Sequence, residues 1–459
     1  MIVRCFYFRE KKEKIKMRKF FVLPLIFSLF SGCLISPTKV EKEEQEKLTR
    51  VENIYRPEEK KPILPVLKED SELKDFIQYA LLNNPEVEAS FYDWKSAVEK
   101  ISATRYLPYP ILSLENEIVS NSVSLSSGLM LMLPAKDKIT LASEAMSLEA
   151  RKKRKIFEEK ILKVAFNVKN LSYQYWVLKE KIKLTENILK ILNEIEELIL
   201  ARLKVGKASQ SDVLAIQIEE EKIRNMLLDL DDYKKVLLAK FGAILGIPPK
   251  DKIPEPPEKL PFTEQDFSEE KIWELVKLQN PKLSFMKDEI EESEVFVKLA
   301  YKEYLPDFSI GLMKSFFSEM AMVKPMLTLS VPWRKKISSM VVSAKSKVKM
   351  TKAQYTTEEL DLAVMLADGL FRWRQANREF KLYKENLLPK VKWILELNKV
   401  GYITGLSNLV DFFVSERMFL DYSFNYLSAQ AFREIALNEV SIIIAGILPE
   451  RETLLQEAR

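Results

Sequence analysis

Apolar side chains recur along this chain in two rhythms. Ile161, Val164, Val168, Leu171, Tyr175, Leu178, Ile182, Leu189 and Leu192 follow alternating steps of three and four, interrupted by Thr185. That is the seam of a coiled coil, and it predicts one helix from Leu141 to Lys204, on the order of 95 Å at 1.5 Å per residue. A counterpart is expected from Ser338 to Lys399. The second rhythm is alternation. In the stretch 111–118 followed by 123–133, Val123, Leu125, Leu129, Leu131 and Leu133 share one face, opposite Ser124, Ser126 and Gly128. Phe308 to Leu312 opens a matching pair and Met326 to Val331 closes it. Each predicted strand is close to the roughly 9–11 residues that cross a bilayer when tilted. A soluble hairpin has the same period, so the pattern alone leaves both readings open.

The order of elements occurs twice. Asn84-Pro85 returns as Asn280-Pro281, Tyr106-Leu107-Pro108 as Tyr304-Leu305-Pro306, Leu133-Pro134 as Val331-Pro332, and Lys204-Val205-Gly206 as Lys399-Val400-Gly401, all at nearly constant separation. The unit is too long for a solenoid, and duplication of a half-structure explains it. Each half reads as a helix (near 72–105 and 269–303), two strands, a long helix and a returning helix (near 210–245 and 407–446). Gly206 and Gly401 are expected to be left-handed caps of the long helices. Ser209 and Asp212 suit the N-cap and third position of the next helix, where an acidic group also favours the dipole.

Counting the strands changes the picture. Tyr106, Tyr109, Tyr301, Tyr304 and Trp333 stand where strands begin or end, as a membrane-interface girdle would, which favours the bilayer reading. Lys136, Lys138, Arg334, Lys335 and Lys336 follow the second strands and fit either lipid phosphates or solvent. A strand in lipid must leave no open edge, and single-chain barrels begin at about eight strands. Four strands cannot close, so membrane hairpins here require an oligomer that shares one barrel.

Composition narrows the chemistry. The chain has 459 residues, 10 Gly, 72 Lys+Arg, 67 Asp+Glu and no His. This is a helix-rich balance with charged outer faces. Without His, the commonest general base and metal ligand is missing, and Ser-His-Asp, Cys-His and His-ligated zinc chemistry are excluded. The net charge of +5 gives no reason to expect a nucleic-acid partner. The run 151–155 reads as a solvated helix face. Met130, Met132, Met313, Met320, Met322 and Met326 gather in or near the strands, where thioethers serve as ordinary packing or as a path for a soft metal.

Both cysteines, Cys5 and Cys33, are N-terminal. Met17-Arg18-Lys19, the apolar run Phe20 to Phe30 and Ser31-Gly32-Cys33 read as a signal peptide ending at 32, with Met17 as the expected start. A Cys directly after the cleavage site resembles a bacterial lipoprotein box and implies lipidation of Cys33, the alternative being an ordinary signal peptide with an incidental Cys. Residues 33–70 are expected to be a Lys-, Glu- and Pro-rich linker without a core of its own. The repeats then span 71–245 and 269–448, joined by 246–268 and followed by a tail, 449–459. No other apolar run reaches the length of a transmembrane helix.

Taken together, the twice-occurring Asn-Pro helices, Tyr-Leu-Pro before the strands and the tips 202–214 and 399–411 resemble the outer-membrane efflux protein family, the TolC-like exit ducts, and within it the lipidated branch. The resemblance covers about residues 70–448. It implies a mainly α protein with a small membrane β-barrel contribution: a homotrimer whose three chains supply four strands each to a 12-stranded barrel, above a periplasmic α-barrel. It further implies an equatorial belt including 246–268 and a passive, non-enzymatic duct in the bacterial outer membrane, lipid-anchored and extending into the periplasm. An inner-membrane pump would act through a periplasmic adaptor. No cofactor is implied. The family's adaptor-docking tips map to Arg202, Leu203, Val205, Gly206, Val400 and Gly401. Its entrance ring maps to Asp411 and Asn408, although a solvated helix-face Asp411 fits as well. The rival reading is a lipid-anchored periplasmic coiled-coil scaffold or adaptor without a pore; two hairpins, each preceded by a strand pair, favour the duct. An enzyme relying on carboxylates or Lys has no constellation to support it.

Overall fold

The computed structural model describes residues 36–68, 70–119, 122–262, 272–317 and 320–446. The signal segment, Cys33 and the tail 449–459 lie outside them. The elements run α1 (Lys39–Tyr55), α2 (Leu73–Asn83), α3 (Pro85–Thr104), β1 (Ile111–Val119), β2 (Ser122–Leu133), α4 (Lys138–Lys204) and α5 (Gln210–Leu245). The second half repeats the order as α6 (Ile272–Gln279), α7 (Pro281–Lys302), β3 (Phe308–Phe317), β4 (Met320–Leu329), α8 (Arg334–Lys381), a π-helical turn (Leu382–Leu387), α9 (Leu388–Thr404) and α10 (Leu409–Ile443). Mainly helical, with one small sheet, the chain forms two compact units: residues 36–51, 92–154 and 285–355 in one, 52–91, 155–284 and 356–446 in the other.

The helix expected before each strand pair is broken in two at Asn-Pro. A residue preceding proline is driven out of the helical region, and Asn84 is extended (φ −68, ψ 127). Proline then opens the next helix, where its missing N–H costs nothing. Asn84 Oδ1 accepts the N–H of Glu86 at 2.8 Å, while its Nδ2 donates to the carbonyl of Ile244 at 2.8 Å, near the end of α5. Asn280 does the same, accepting from Leu283 at 3.0 Å and donating to Ile443 at 2.9 Å. One amide thus caps the start of one helix and the end of another.

The four strands form one antiparallel sheet in the order β1-β2-β3-β4. Its helix-side corner is tied by Asp307, whose Oδ1 accepts the Ala135 N–H at 2.7 Å and whose Oδ2 meets Lys138 Nζ at 3.0 Å. Lys138 also reaches Glu303 at 3.2 Å. It is therefore an internal ion-pair residue and not a group presented to phosphates.

Three further expectations change. Within the stretch read as a linker, α1 forms and buries Leu48, Tyr55 and Arg56. In the sheet-bearing unit, Glu41 pairs with Arg105 at 3.0 Å and Glu44 with Arg154 at 3.0 Å. Low hydrophobicity concealed a helix that packs by paired charges. The basic run is likewise engaged: Arg151 meets Asp288 at 3.1 Å, Lys152 meets Glu292 at 2.7 Å and Lys153 meets Asp93 at 2.9 Å. Thr185, read as an interruption of the seam, is fully buried and donates its hydroxyl to Lys181 O at 2.8 Å. From there the seam continues through Ile188, Leu192, Ile195 and Ile199, and Leu189 moves to its flank.

The second long helix contains the π turn because Pro389 offers no N–H and its ring excludes a regular turn before it. The Leu388 N–H bonds to Tyr383 O, five residues back. Asp307→Ala should lower the thermal unfolding midpoint of the detergent-purified protein, at a cost of about 3 kcal/mol for an acceptor shared by a buried N–H and a Lys. Asp307→Asn, which keeps an acceptor for Ala135, should lose less.

Candidate functional site: hairpin tips and sheet faces

The tips lie in the second unit. At the first tip, Gly206 adopts φ 69 and the Lys207 N–H closes onto Arg202 O at 2.8 Å. Ser209 then caps α5 in a reciprocal box with Asp212. At the second tip the left-handed residue is Gly405 (φ 83), with the Leu406 N–H bonding to Gly401 O at 2.7 Å. Both are Schellman turns. Gly401 is therefore not the cap: it lies one turn inside α9, buried, where a Cβ would meet Ser407 Oγ at 2.7 Å. The structural equivalent of Gly206 is Gly405, and that of Ser209 is Asn408. The proline pair before the long helices and this glycine pair differ in separation by a single residue, which the π turn absorbs.

The proposed contact residues divide accordingly. Arg202 donates to Tyr402 O at 2.8 Å and to Ile403 O, with its guanidinium 5.2 Å from the Tyr402 ring centroid. It closes the last carbonyls of α9 and joins the two tips of one chain. Leu203 packs against the hairpin core. Val205, Gly206 and Val400 are exposed, whereas Gly401 is buried. Asn408 caps α10, accepting the Asp411 N–H at 2.8 Å, while Asp411 itself stays exposed. Leu406, Ile403 and Val410 are also exposed at the second tip. The sequence reading missed them because it placed this turn four residues early.

Behind the tips, Ile188, Leu192, Ile195, Ile216, Ile223, Leu395, Phe412 and Leu420 form one core across both hairpins. Beside it Arg417 clasps Glu219 at 2.8 and 3.1 Å. Burial alone would raise Glu219, yet its hydrogen bonds to Arg417 and Lys222 hold it below the usual carboxylate range. Glu416 is fully buried, and neither carboxyl oxygen has a hydrogen-bond partner among the described residues. Burial, then the Glu219 carboxylate, push it up to about 7. Around it stand Glu219 and Lys222 of α5 and Arg417 and Asp421 of its own helix.

In the sheet, register separates two faces. Leu112, Leu129, Leu312 and Pro325 are aligned across the strands, as are Leu131, Ile310 and Leu327, and Leu133, Phe308 and Leu329. This predominantly aliphatic face, which also carries Asn116, Ser127 and Lys314, is uncovered, with Leu112 at 68%, Leu312 at 61% and Leu327 at 74% exposure. The other face carries Ser113, Ser126, Gly128, Ser309, Gly311 and Thr328 with Met130, Met132, Met313, Met322 and Met326. Tyr106, Tyr109, Tyr301, Tyr304 and Trp333 are all exposed. Among the described residues, neither β1 nor β4 has a second strand neighbour. No group of His, Cys, Asp and Glu suited to a metal occurs among them.

No family profile and no curated protein matches this sequence. Solved structures do. A membrane protein from Pseudomonas aeruginosa superposes with a TM-score of 0.72 at 17% identity, covering 92% of this chain and 100% of that one. The Campylobacter jejuni outer membrane channel CmeC gives 0.71 at 14%, covering 84% and 89%. The Vibrio cholerae outer membrane protein VceC gives 0.68 at 16%, covering 82% and 96%. This chain has the fold of these three proteins, two of which are outer-membrane proteins.

Two outcomes follow from the tips. Arg202→Ala should speed amide exchange across 399–406, by the roughly 1–3 kcal/mol that unpaired carbonyls cost, with Arg202→Lys intermediate. Glu416 binds its proton more tightly folded than unfolded, so it stabilises the fold below the ordinary value of 4.5 and that contribution is lost as pH rises to about 7. Glu416→Gln should therefore raise the unfolding midpoint at pH 8 and leave it nearly unchanged at pH 4.

Proposed function

We propose that this protein is an outer-membrane exit duct of the outer-membrane efflux protein family, passively conducting substrate across periplasm and outer membrane in a tripartite efflux or secretion system. The observation that carries this reading is the sheet: four strands, one face predominantly apolar and uncovered, interrupted by Asn116, Ser127 and Lys314, and two edges without partners among the described residues. Lipid is the environment in which such a face is stable, and open edges are not tolerated there. Three chains joined edge to edge, β4 of one to β1 of the next, form a 12-stranded barrel within the range of known barrels.

In this reading the polar face lines the conduit and the five exposed aromatics meet the headgroups. Cys33 carries the lipid anchor. The exposed tip side chains Val205, Val400, Ile403 and Leu406, with Gly206, meet a periplasmic adaptor, which couples the duct to an inner-membrane pump. Arg202, Leu203 and Gly401 shape the tip instead of touching the partner. Three Asp411 carboxylates, one per chain, form the entrance ring. Catalysis has no part in this mechanism.

Electron microscopy of the protein extracted from outer membranes, with mass determination, should find a hollow three-fold assembly. A monomer or a solid rod would overturn the proposal in favour of a poreless scaffold. Leu312→Arg, on the aliphatic face, should cost about 2–4 kcal/mol at the bilayer midplane and reduce the assembled fraction. Thr328→Lys, on the opposite face, should assemble normally.

A further inference from the structure

Met130, Met132, Met313, Met322 and Met326 all lie on the polar face, and the opposite face has no methionine. Ordinary apolar packing would place them on the Leu-, Ile- and Phe-bearing face; here they share a face with Ser113, Glu115, Ser126, Ser309, Lys324 and Thr328, and Ile111, opposite Met130, is an apolar side chain beside them. Three of them converge. Met130 of β2 and Met326 of β4 stand opposite Gly311 of β3 from either side. Met313, two residues along β3, is the diagonal neighbour of both, at about 7–8 Å between Cα atoms. Gly311 leaves the ground between them bare: a Cβ there would meet Leu129 O at 2.6 Å and the Met130 Cβ at 3.2 Å. The Met130 side chain is long enough to span β3: on the Ser309 side of Gly311 its sulfur accepts the Thr328 hydroxyl of β4 at 3.8 Å.

We propose that Met130, Met313 and Met326 form a thioether site for a soft monovalent cation of the Cu(I) or Ag(I) type, placed on the conduit wall. Thioether sulfur selects such ions over Mg²⁺, Ca²⁺ and Zn²⁺, for which oxygen, nitrogen or thiolate ligands are preferred. Three flexible side chains on neighbouring strands supply three donors without a preformed cage. Lys324 stands opposite Met313 on the same face. Its ammonium opposes cation occupancy, which suits a stepping site that releases its ion over one that stores it. The proposal rests on the duct reading, since the site is useful only if this face lines the conduit.

The test is titration of Ag(I), a redox-stable probe, into the full-length assembly purified in detergent, followed calorimetrically. Wild type should bind Ag(I) in the presence of excess Mg²⁺. Met130→Leu/Met313→Leu/Met326→Leu should weaken it by roughly tenfold or more, the scale on which even outer-shell changes move metal affinity. Met340→Leu/Met350→Leu/Met365→Leu, at exposed helical positions, should leave it unchanged, and Lys324→Gln should tighten it. Equal binding by wild type and the sheet triple variant, with both seen as hollow assemblies by electron microscopy, overturns the site and leaves the duct intact. Absence of hollow assemblies in wild type overturns the duct reading instead.

Discussion

Every backbone N–H and C=O withdrawn from water needs a partner, and this chain has many helix ends and two strand edges to provide for. Most helix ends are closed from within. Asn84 and Asn280 each close two, Ser209 and Asn408 start the returning helices, Gly206 and Gly405 turn the tips, and the Arg202 guanidinium takes the last carbonyls of α9. These contacts fix where each helix stops, and so how far each hairpin extends. The edges of β1 and β4 cannot be closed the same way, because the chain has no further strand among its described residues. Satisfaction inside the chain ends at the sheet among the described residues, and in the proposed duct that is where association with other copies begins.

The repeat was the most legible feature because its residues are structural punctuation. Asn-Pro is conspicuous since proline forbids the helix before it, and the double cap makes the asparagine indispensable to two elements at once. Strand faces were legible for a related reason: a period of two admits no drift. Helix periodicity gave the long seam but misassigned its continuation beyond Thr185, where a buried hydroxyl returned to its own helix backbone is indistinguishable in sequence from a polar break.

The second tip was misread through a coincidence of letters. Lys-Val-Gly occurs at both tips, but the second belongs inside α9, where Gly401 permits the close passage of Ser407. Counted from the proline before each long helix, the true cap is Gly405, one residue later than in the first half, and the π turn upstream of Pro389 takes up that residue. Charge was the other blind spot. Glu41, Glu44, Arg151, Lys152 and Arg154 look like solvated surface in sequence, yet they pair in the packing of α1, α4 and α7 within one unit. Sequence reports which residues carry charge and not which of them face one another.

The two units deal with polarity in opposite ways, and function follows from the contrast. In the hairpin unit the buried carboxyl of Glu416, without a hydrogen-bond partner among the described residues, is kept neutral up to about pH 7 by burial and then by the neighbouring Glu219 carboxylate. In the sheet the aliphatic residues point outward, uncovered, while hydroxyls, glycines and thioethers occupy the other face. An inside-out pattern of this kind is unstable in water as an isolated sheet and stable once its aliphatic side meets lipid and its polar side encloses solvent. In the proposed duct, closure of the sheet by other copies and insertion into lipid go together: open edges are not tolerated in the bilayer, and a closed barrel with this face outward is stable where that face meets lipid.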